Sequence, residues 1–194
     1  MIKHIGWLLL LVVACQTSDI PTPRPHQYPR LDLPERSYKP YRSAECPFVM
    51  EVPSTAEVIK KKYLFGDVEA NPCWFDIAVS SLNATIHCSY YTINQEQRLD
   101  KLINDAYTMA SKHNIKASYR EEFEIKTKEA SGIIFKINGP VATPYQFYIS
   151  DNKNHFFRGS LYFDEKVDYD SIAPVITYLE EEVDHVLKSL VWND

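Results

Sequence analysis

Residues 145–163, YQFYISDNKNHFFRGSLYF, indicate the fold more directly than any other part of the sequence. Two runs rich in aromatic residues, Tyr145–Ser150 and Phe156–Phe163, enclose the polar cluster Asp151–Asn154. Aromatic residues favour strands, and a short polar cluster between two such runs favours an antiparallel hairpin. Aromatic side chains at successive positions of the second run lie on both faces of the strand. We therefore expect both faces of the sheet to be covered, one by a helix and the other by a second helix, by segment Tyr28–Glu35 or by a partner protein.

Similar patterns along the rest of the chain predict five more strands and two helices. One amphipathic helix is expected from about Gln95 to His113 with Asn94 as its N-cap, and another begins near Asp170 or Ser171. Three strands, a helix, four strands and a helix favour an α+β fold, in which two amphipathic helices cover a mostly antiparallel sheet of six or seven strands. This order is similar to that of the α/β/α sandwiches of the Mog1/PsbP type. The further strands are expected at Phe48–Val52, Trp74–Val79, Ala84–Ile93, Phe123–Thr127 and Gly132–Asn138.

The N-terminal residues are typical of a bacterial lipoprotein signal. A lysine near the start, an apolar run from Ile5 to Val13 and the small residue Ala14 precede Cys15. The apolar run is nine residues long, which is short of the roughly 20 residues that span a bilayer. We therefore predict a signal peptide at residues 1–14 and lipidation of Cys15, which anchors the protein to a membrane.

Proline-rich sequence follows the predicted lipidation site. Six of the twelve prolines lie within residues 16–45, and the run Pro21–Pro25 favours a semi-rigid, extended tether. The predicted organisation is therefore a signal peptide at 1–14, a lipidated and proline-rich tether at 15–45, and a single α+β domain at 46–194. Within the tether, the tyrosine and two leucines of Tyr28–Glu35 indicate docking on the domain or on a partner.

Three further cysteines follow the predicted lipidation site: Cys46, Cys73 and Cys88. In an oxidising compartment this number indicates one disulfide and one free thiol, and the lack of CxxC spacing argues against a zinc or redox site. Cys46 and Cys73 each begin a strand-like segment, whereas Cys88 lies inside a strand, where a small buried thiol is normal. We expect a Cys46–Cys73 disulfide, while pairing of Cys73 with Cys88 stays open.

The charged residues and histidines form no pattern that indicates catalysis or metal binding. The net charge is −5 and the longest basic run is Lys60–Lys62, which argues against nucleic acid as a partner. The sequence has no glycine-rich phosphate loop, HExxH or GxSxG motif. Glu181 and His185 have a spacing that fits a helix-surface pair better than a metal site, and His87 and His155 could meet across the sheet. We therefore predict no catalytic residue, no metal and no cofactor.

Several short segments, taken in order, form a set: Pro29–Glu35 (PRLDLPE), Cys46–Phe48 (CPF), Ala84–His87 (ATIH) before Ser89–Tyr90 (SY), His113–Ala117 (HNIKA), Gln146–Asp151 (QFYISD), His155–Phe163 (HFFRGSLYF) and Asp170–Pro174 (DSIAP). None of them is a chemical motif by itself. As a set they resemble the gliding motility lipoprotein GldD family of Bacteroidota. The resemblance extends from about Tyr28 to Trp192, nearly the whole predicted mature chain.

The resemblance implies a role in gliding motility and in type IX secretion, without enzymatic activity. It also implies that the protein supports other lipoproteins of that machinery, GldJ in particular. Cys88 stands where the family pattern leads us to expect an apolar residue such as leucine, which supports the Cys46–Cys73 pairing. We expect the partner to contact segment Tyr28–Glu35 and an adjacent aromatic surface. The residues expected at this contact are Tyr28, Arg30, Leu31 and Leu33.

The residues after Cys15 bear on the orientation of the protein. Gln16–Asp19 contains one acidic residue, whereas surface-exported lipoproteins of this phylum carry a denser acidic signal there. We therefore expect a periplasm-facing domain, in the outer membrane rather than the inner because the machinery lies there.

An alternative function is that of a periplasmic lipoprotein that binds a small ligand or glycan on an aromatic-lined face of the sheet. An open pocket with convergent polar groups would favour this alternative, and a closed sheet would exclude it.

Overall fold

A computed structural model describes residues 32–61, 71–163 and 169–193 of the chain. The predicted signal peptide, Cys15, Tyr28, Arg30 and Leu31 lie outside the described residues. The elements are β1 (Tyr38–Arg42), β2 (Phe48–Pro53), β3 (Glu57–Lys60), β4 (Trp74–Val79), β5 (Ala84–Thr92), α1 (Leu99–Ser111), β6 (Tyr119–Lys126), β7 (Ser131–Asn138), β8 (Tyr145–Ser150), β9 (His155–Phe163), α2 (Tyr169–Ser189) and β10 (Val191–Trp192), with 3₁₀ turns at Ser80–Leu82 and Lys112–Ile115.

The large sheet contains seven of the described strands, in the order β3-β4-β5-β9-β8-β7-β6. Each neighbouring pair is antiparallel. The β8–β9 hairpin lies at its centre, and Asp151 closes the turn because its carboxylate accepts backbone N–H groups of residues 153–155. The prediction of an antiparallel α+β sheet built around this hairpin is confirmed.

The two faces of the large sheet form separate cores, each beneath one helix. On one face Leu179, Val183 and Leu187 of α2 join Phe147 and Phe157 in a buried cluster. On the other face, Leu102, Ala106 and Ala110 of α1 pack with the neighbouring strand residues Tyr148 and Phe156. Because successive strand residues point to opposite faces, the paired aromatics of β8 and β9 serve both cores. The aromatic pattern predicts that both faces of the sheet are covered, and the elements that cover them are α1 and α2.

A small sheet of order β1-β2-β10 packs beside the large one. The predicted strand Phe48–Val52 is its central member and pairs with β1 and β10. β1 lies within residues 15–45, which we expected to form a tether, so the compact unit begins at Asp32 and not at Cys46. Pro40 is compatible with β1 because β1 is an edge strand, where a missing N–H leaves no gap in the ladder.

The start of α1 also differs from the prediction. The helix begins at Leu99, with Arg98 as its N-cap and no capping hydrogen bond from a side chain. Asn94 Oδ1 instead accepts the backbone N–H groups of Glu96 and Gln97, at 2.8 and 2.7 Å. Asn94 therefore closes a turn that precedes the helix, which is the competing use of this side chain.

A disulfide links the two sheets where β2 and β4 begin. Cys46 and Cys73 form this bond, with Cα atoms 5.5 Å apart, and both residues are buried. Cys88 is a free, buried thiol in the middle of β5. Burial raises the pKa of the Cys88 thiol far above its ordinary value, so it stays protonated and unreactive in the folded protein.

Candidate functional site

The face of the large sheet beneath α1 extends beyond the helix. α1 contributes to a buried cluster with residues of β7, β8 and β9, and the same face continues over β5, β4 and β3 as a half-exposed surface. Strand pairing arranges the side chains of this surface in rows that cross the strands. One row consists of Asp76, His87, Ser160 and Gln146, and the next of Trp74, Ser89, Arg158 and Tyr148.

A cleft with a volume of about 230 Å³ lies between these rows and α1. Its lining includes Trp74, His87, Ser89 and Arg158 from the strands and Met109 from α1. Indole and thioether groups thus meet imidazole, hydroxyl and guanidinium groups in one concavity. Ligand pockets have this composition, in which apolar walls provide contact area and a few polar groups fix orientation.

Arg158 is the central charged group of the cleft. Its Nε donates to Ser89 Oγ at 3.2 Å and its Nη2 donates to the Tyr91 hydroxyl at 2.9 Å. The guanidinium also lies over the Tyr91 ring, 5.0 Å from its centroid. These contacts fix the side chain but bring it no carboxylate, since none of the described acidic residues forms an ion pair with Arg158. The cleft therefore holds a positioned cation whose charge is not neutralised by a described side chain.

A second charged cluster stands at the edge of the cleft. Asp76 Oδ1 lies 2.7 Å from His87 Nδ1 and 3.2 Å from Lys61 Nζ. Burial by itself would raise the pKa of Asp76, but hydrogen bonding and charge from His87 and Lys61 outweigh it and leave that pKa below its ordinary value. The carboxylate is therefore ionised at neutral pH and is neutralised within the cluster, so Arg158 provides the net positive charge of the site.

The histidines do not come together as the sequence allowed. His87 faces the cleft, whereas His155 lies on the opposite face, where its Nδ1 is 2.8 Å from the Tyr90 hydroxyl. Its ring stacks on Trp192, with centroids 4.8 Å apart. Register explains the separation, because His87 pairs with Ser160 and His155 pairs with Thr92.

Glu181 and His185 also have separate partners. Glu181 forms an ion pair with Arg36, and His185 Nε2 lies 2.7 Å from Glu51 Oε2. Within the described ranges, no group of three or more histidine, cysteine, aspartate or glutamate side chains could hold a metal ion.

One of the residues expected to bind a partner, Leu33, is described, and its side chain is 37% exposed. The chain that follows it is fixed to α2. Arg36 forms ion pairs with Glu181 and with Glu182, the latter at 3.1 Å from Nε, and its guanidinium lies over the Tyr178 ring. Neither Arg36 nor Arg158 was among the residues predicted to be functional. The arginine between the aromatic residues and Gly159 of β9 was a usable signal, because it puts a charge among the mostly uncharged side chains of that strand.

The fold and the site define a small α+β sandwich protein with one helix on each face of its sheet and a cationic cleft beside α1. A family model described as gliding motility lipoprotein GldD matches residues 18–192. The chain belongs to this family, which indicates a lipoprotein associated with the cell envelope. None of the described helices is long and apolar enough to cross a membrane.

The solved structures that are similar to the chain include two with low sequence identity. One is the solution structure of cyanobacterial PsbP from Synechocystis sp. PCC 6803, which is 10% identical, with a TM-score of 0.45 and coverage of 84% of this chain and 97% of that one. The other is the crystal structure of the Saccharomyces cerevisiae Ran-binding protein Mog1p, also 10% identical, with a TM-score of 0.48 and coverage of 82% and 97%. No similar protein was found among the curated proteins.

Proposed function

We propose that this protein is a non-enzymatic, lipid-anchored envelope component that acts in gliding motility and type IX secretion by binding and stabilising another lipoprotein of the machinery, of the GldJ kind. The family match over residues 18–192 is the observation that carries the proposal. The domain faces the periplasm, and the outer membrane is favoured over the inner. Its part in the machinery is to hold a binding surface near the membrane.

The anchor in this proposal is Cys15. Each buried CH₂ of an acyl chain contributes about 0.8 kcal/mol, and stable anchoring needs more than one chain. A lipobox cysteine carries two or three acyl chains, so the anchor is effectively permanent.

Replacement of Cys15 by serine is expected to abolish incorporation of a labelled fatty acid, because the thiol that accepts the lipid is lost. The measurement is metabolic labelling followed by immunoprecipitation. Cys88→Ala serves as the matched control and should label like the wild type, because Cys88 is buried inside β5. Labelling that persists in Cys15→Ser would disprove lipidation at this position.

Support for the partner surface comes from the position of Leu33. Its apolar side chain is 37% exposed, three positions before an arginine that is fixed to α2 by ion pairs. An exposed leucine held this close to a fixed point loses little conformational freedom when a partner covers it. Tyr28, Arg30 and Leu31 extend the same proposed contact.

A strain that carries Leu31→Glu and Leu33→Glu is expected to show a several-fold fall in the abundance of the partner lipoprotein, because an unbound partner is degraded. Spreading and type IX secretion should fall with it. Immunoblots of envelope fractions, colony spreading and assays of secreted protein provide the measurements.

Ile115→Glu is the control for this experiment, because Ile115 is an exposed apolar residue, 92% accessible, on the turn after α1. Partner abundance should be unchanged in that strain. The stability of a Leu33→Glu protein should stay within about 0.5 kcal/mol of the wild type, as is usual for an exposed position. Normal secretion, spreading and partner abundance after deletion of the whole gene would overturn the proposed function.

A second candidate function is the binding of a small ligand or glycan in the periplasm. The cleft beside α1 favours it, because Trp74, Arg158 and several hydroxyl groups converge there. The two functions use different surfaces, so one protein can serve both.

A further inference from the structure

The cleft beside α1 presents a cation without a described counter-charge. Arg158 is held by Ser89 and Tyr91 through two of its five N–H groups. The remaining N–H groups can still donate, and the planar fork of a guanidinium suits the two oxygens of a carboxylate. The nearest acidic cluster does not neutralise Arg158, since Asp76 is bound to His87 and Lys61.

The rest of the lining suits a sugar ring. Trp74 is a half-buried aromatic residue that packs edge-on against Tyr91, with centroids 5.5 Å apart. Its Nε1 donates to the Tyr90 carbonyl at 3.2 Å, which fixes the indole in place. Ser89, Ser160 and Gln146 add hydroxyl and amide groups around this aromatic surface. Recognition of a sugar requires an aromatic surface that packs against the ring and neutral polar groups that form hydrogen bonds with its hydroxyls. The cleft provides both.

The size of the cleft limits the ligand to about one ring. Its volume is about 230 Å³, and a dry protein cavity of about 150 Å³ holds benzene. One six-membered ring with its substituents therefore fits, and a longer glycan would have to leave the cleft after its first residue.

We infer that this cleft binds one acidic sugar residue, with the carboxylate on Arg158 and the ring against Trp74. The inference rests on the second candidate function and names its ligand class. It is independent of the anchor and of the Leu33 contact.

The test titrates the full-length lipidated protein, kept in detergent, with three probes while the indole N–H signal of Trp74 is followed by NMR. The probes are glucuronate, glucose and acetate. Glucuronate and glucose share a ring and differ in one carboxylate, and acetate is a carboxylate without a ring. Saturable shifts are expected with glucuronate. The affinities for glucose and for acetate are each expected to be at least tenfold weaker than the affinity for glucuronate.

Two substitutions connect the binding to Arg158. Arg158→Gln is expected to weaken glucuronate binding by tenfold or more, and Arg158→Lys should give partial recovery because it restores the charge without the fork. Arg98→Gln is the control, because Arg98 is an exposed arginine that pairs with Asp100 and is not among the residues that line the cleft. Its affinity for glucuronate should equal that of the wild type.

Each other outcome overturns a distinct part of the inference. If glucose and glucuronate bound equally and Arg158→Gln had no effect, the ligand would not need an acidic group, and the cleft would be a site for a neutral sugar. If acetate bound as tightly as glucuronate, the sugar ring would contribute nothing to binding, and the inferred contact with Trp74 would be wrong. If the folded wild-type protein showed no shift with any of the three probes, the cleft would not bind a ligand of this class. The partner-binding proposal would be unaffected.

Discussion

Replacement of Phe48 by alanine is expected to lower the free energy of unfolding by about 3–5 kcal/mol, as is typical for a buried phenylalanine. Phe48 lies in β2 of the small sheet and is 0% exposed. Its ring is 5.6 Å from both Tyr90 and Phe157 of the large sheet. The truncation therefore opens a cavity where the two sheets meet. Rigid aromatic neighbours leave little room for collapse, which puts the cost at the upper end of what core substitutions produce.

Equilibrium unfolding of the full-length protein in guanidinium chloride, monitored by circular dichroism, measures this loss. Phe48→Leu should cost much less, because it keeps most of the buried volume. Phe123→Ala on β6 is the surface control, since Phe123 is 44% exposed, and it should change stability by about 0.5 kcal/mol or less. A loss for Phe48→Ala as small as that of Phe123→Ala would contradict the packing of the small sheet on the large one.

Loss of the disulfide is expected to be the next most costly change. Cys46 and Cys73 are 27 positions apart, and closing a loop of this length contributes about 3–4 kcal/mol by restricting the unfolded chain. The double variant Cys46→Ala/Cys73→Ala should lose this amount. Reduction of the wild-type protein should produce a similar loss in the same unfolding experiment, and the double variant should be insensitive to reductant.

Cys88→Ala distinguishes the two pairings that the sequence left open. This variant should retain the full response to reductant, because Cys88 is not part of the disulfide in the structure. A thiol reagent should label Cys88 of the wild type only after unfolding, since burial keeps the thiol protonated. If Cys88→Ala removed the response to reductant, the bond would be Cys73–Cys88.

Most of the large sheet was predictable because its strands carry local signals, and β3 is the one member that was not predicted. Polar Asp and Asn residues mark the turn between β8 and β9, and aromatic alternation identifies the strands themselves. β1 and β10 lack such signals. β1 contains Pro40 and lies in a proline-rich region, and β10 has two residues. Both strands exist because β2 pairs with them. The β10–β2 pairing spans a long sequence separation, which no local pattern reveals.

Only part of the cleft could be predicted from the sequence, because the pairing of β5 with β9 spans a long stretch of the chain. The alternation of β5 places His87 and Ser89 on one face, and this face could be inferred from residues 84–92 alone. Asp76 and Arg158 become their neighbours only through pairing with β4 and β9. The sequence left open whether His87 meets His155, because the answer depends on the β5–β9 register, and a shift of one residue exchanges the faces of a strand.

The edge strand β6 affects how copies of this protein interact when they are close together on a membrane. It pairs only with β7 in the described sheet, so its other side presents unpaired backbone groups. Proteins confined to a membrane surface meet their own copies often, and an exposed edge of this length invites sheet-to-sheet joining between them. Arg120, Glu121, Glu122, Glu124 and Lys126 give β6 a dense row of charges. Two such edges brought together antiparallel would align like charges and bury polar groups, so the charges of β6 disfavour joining between neighbouring copies.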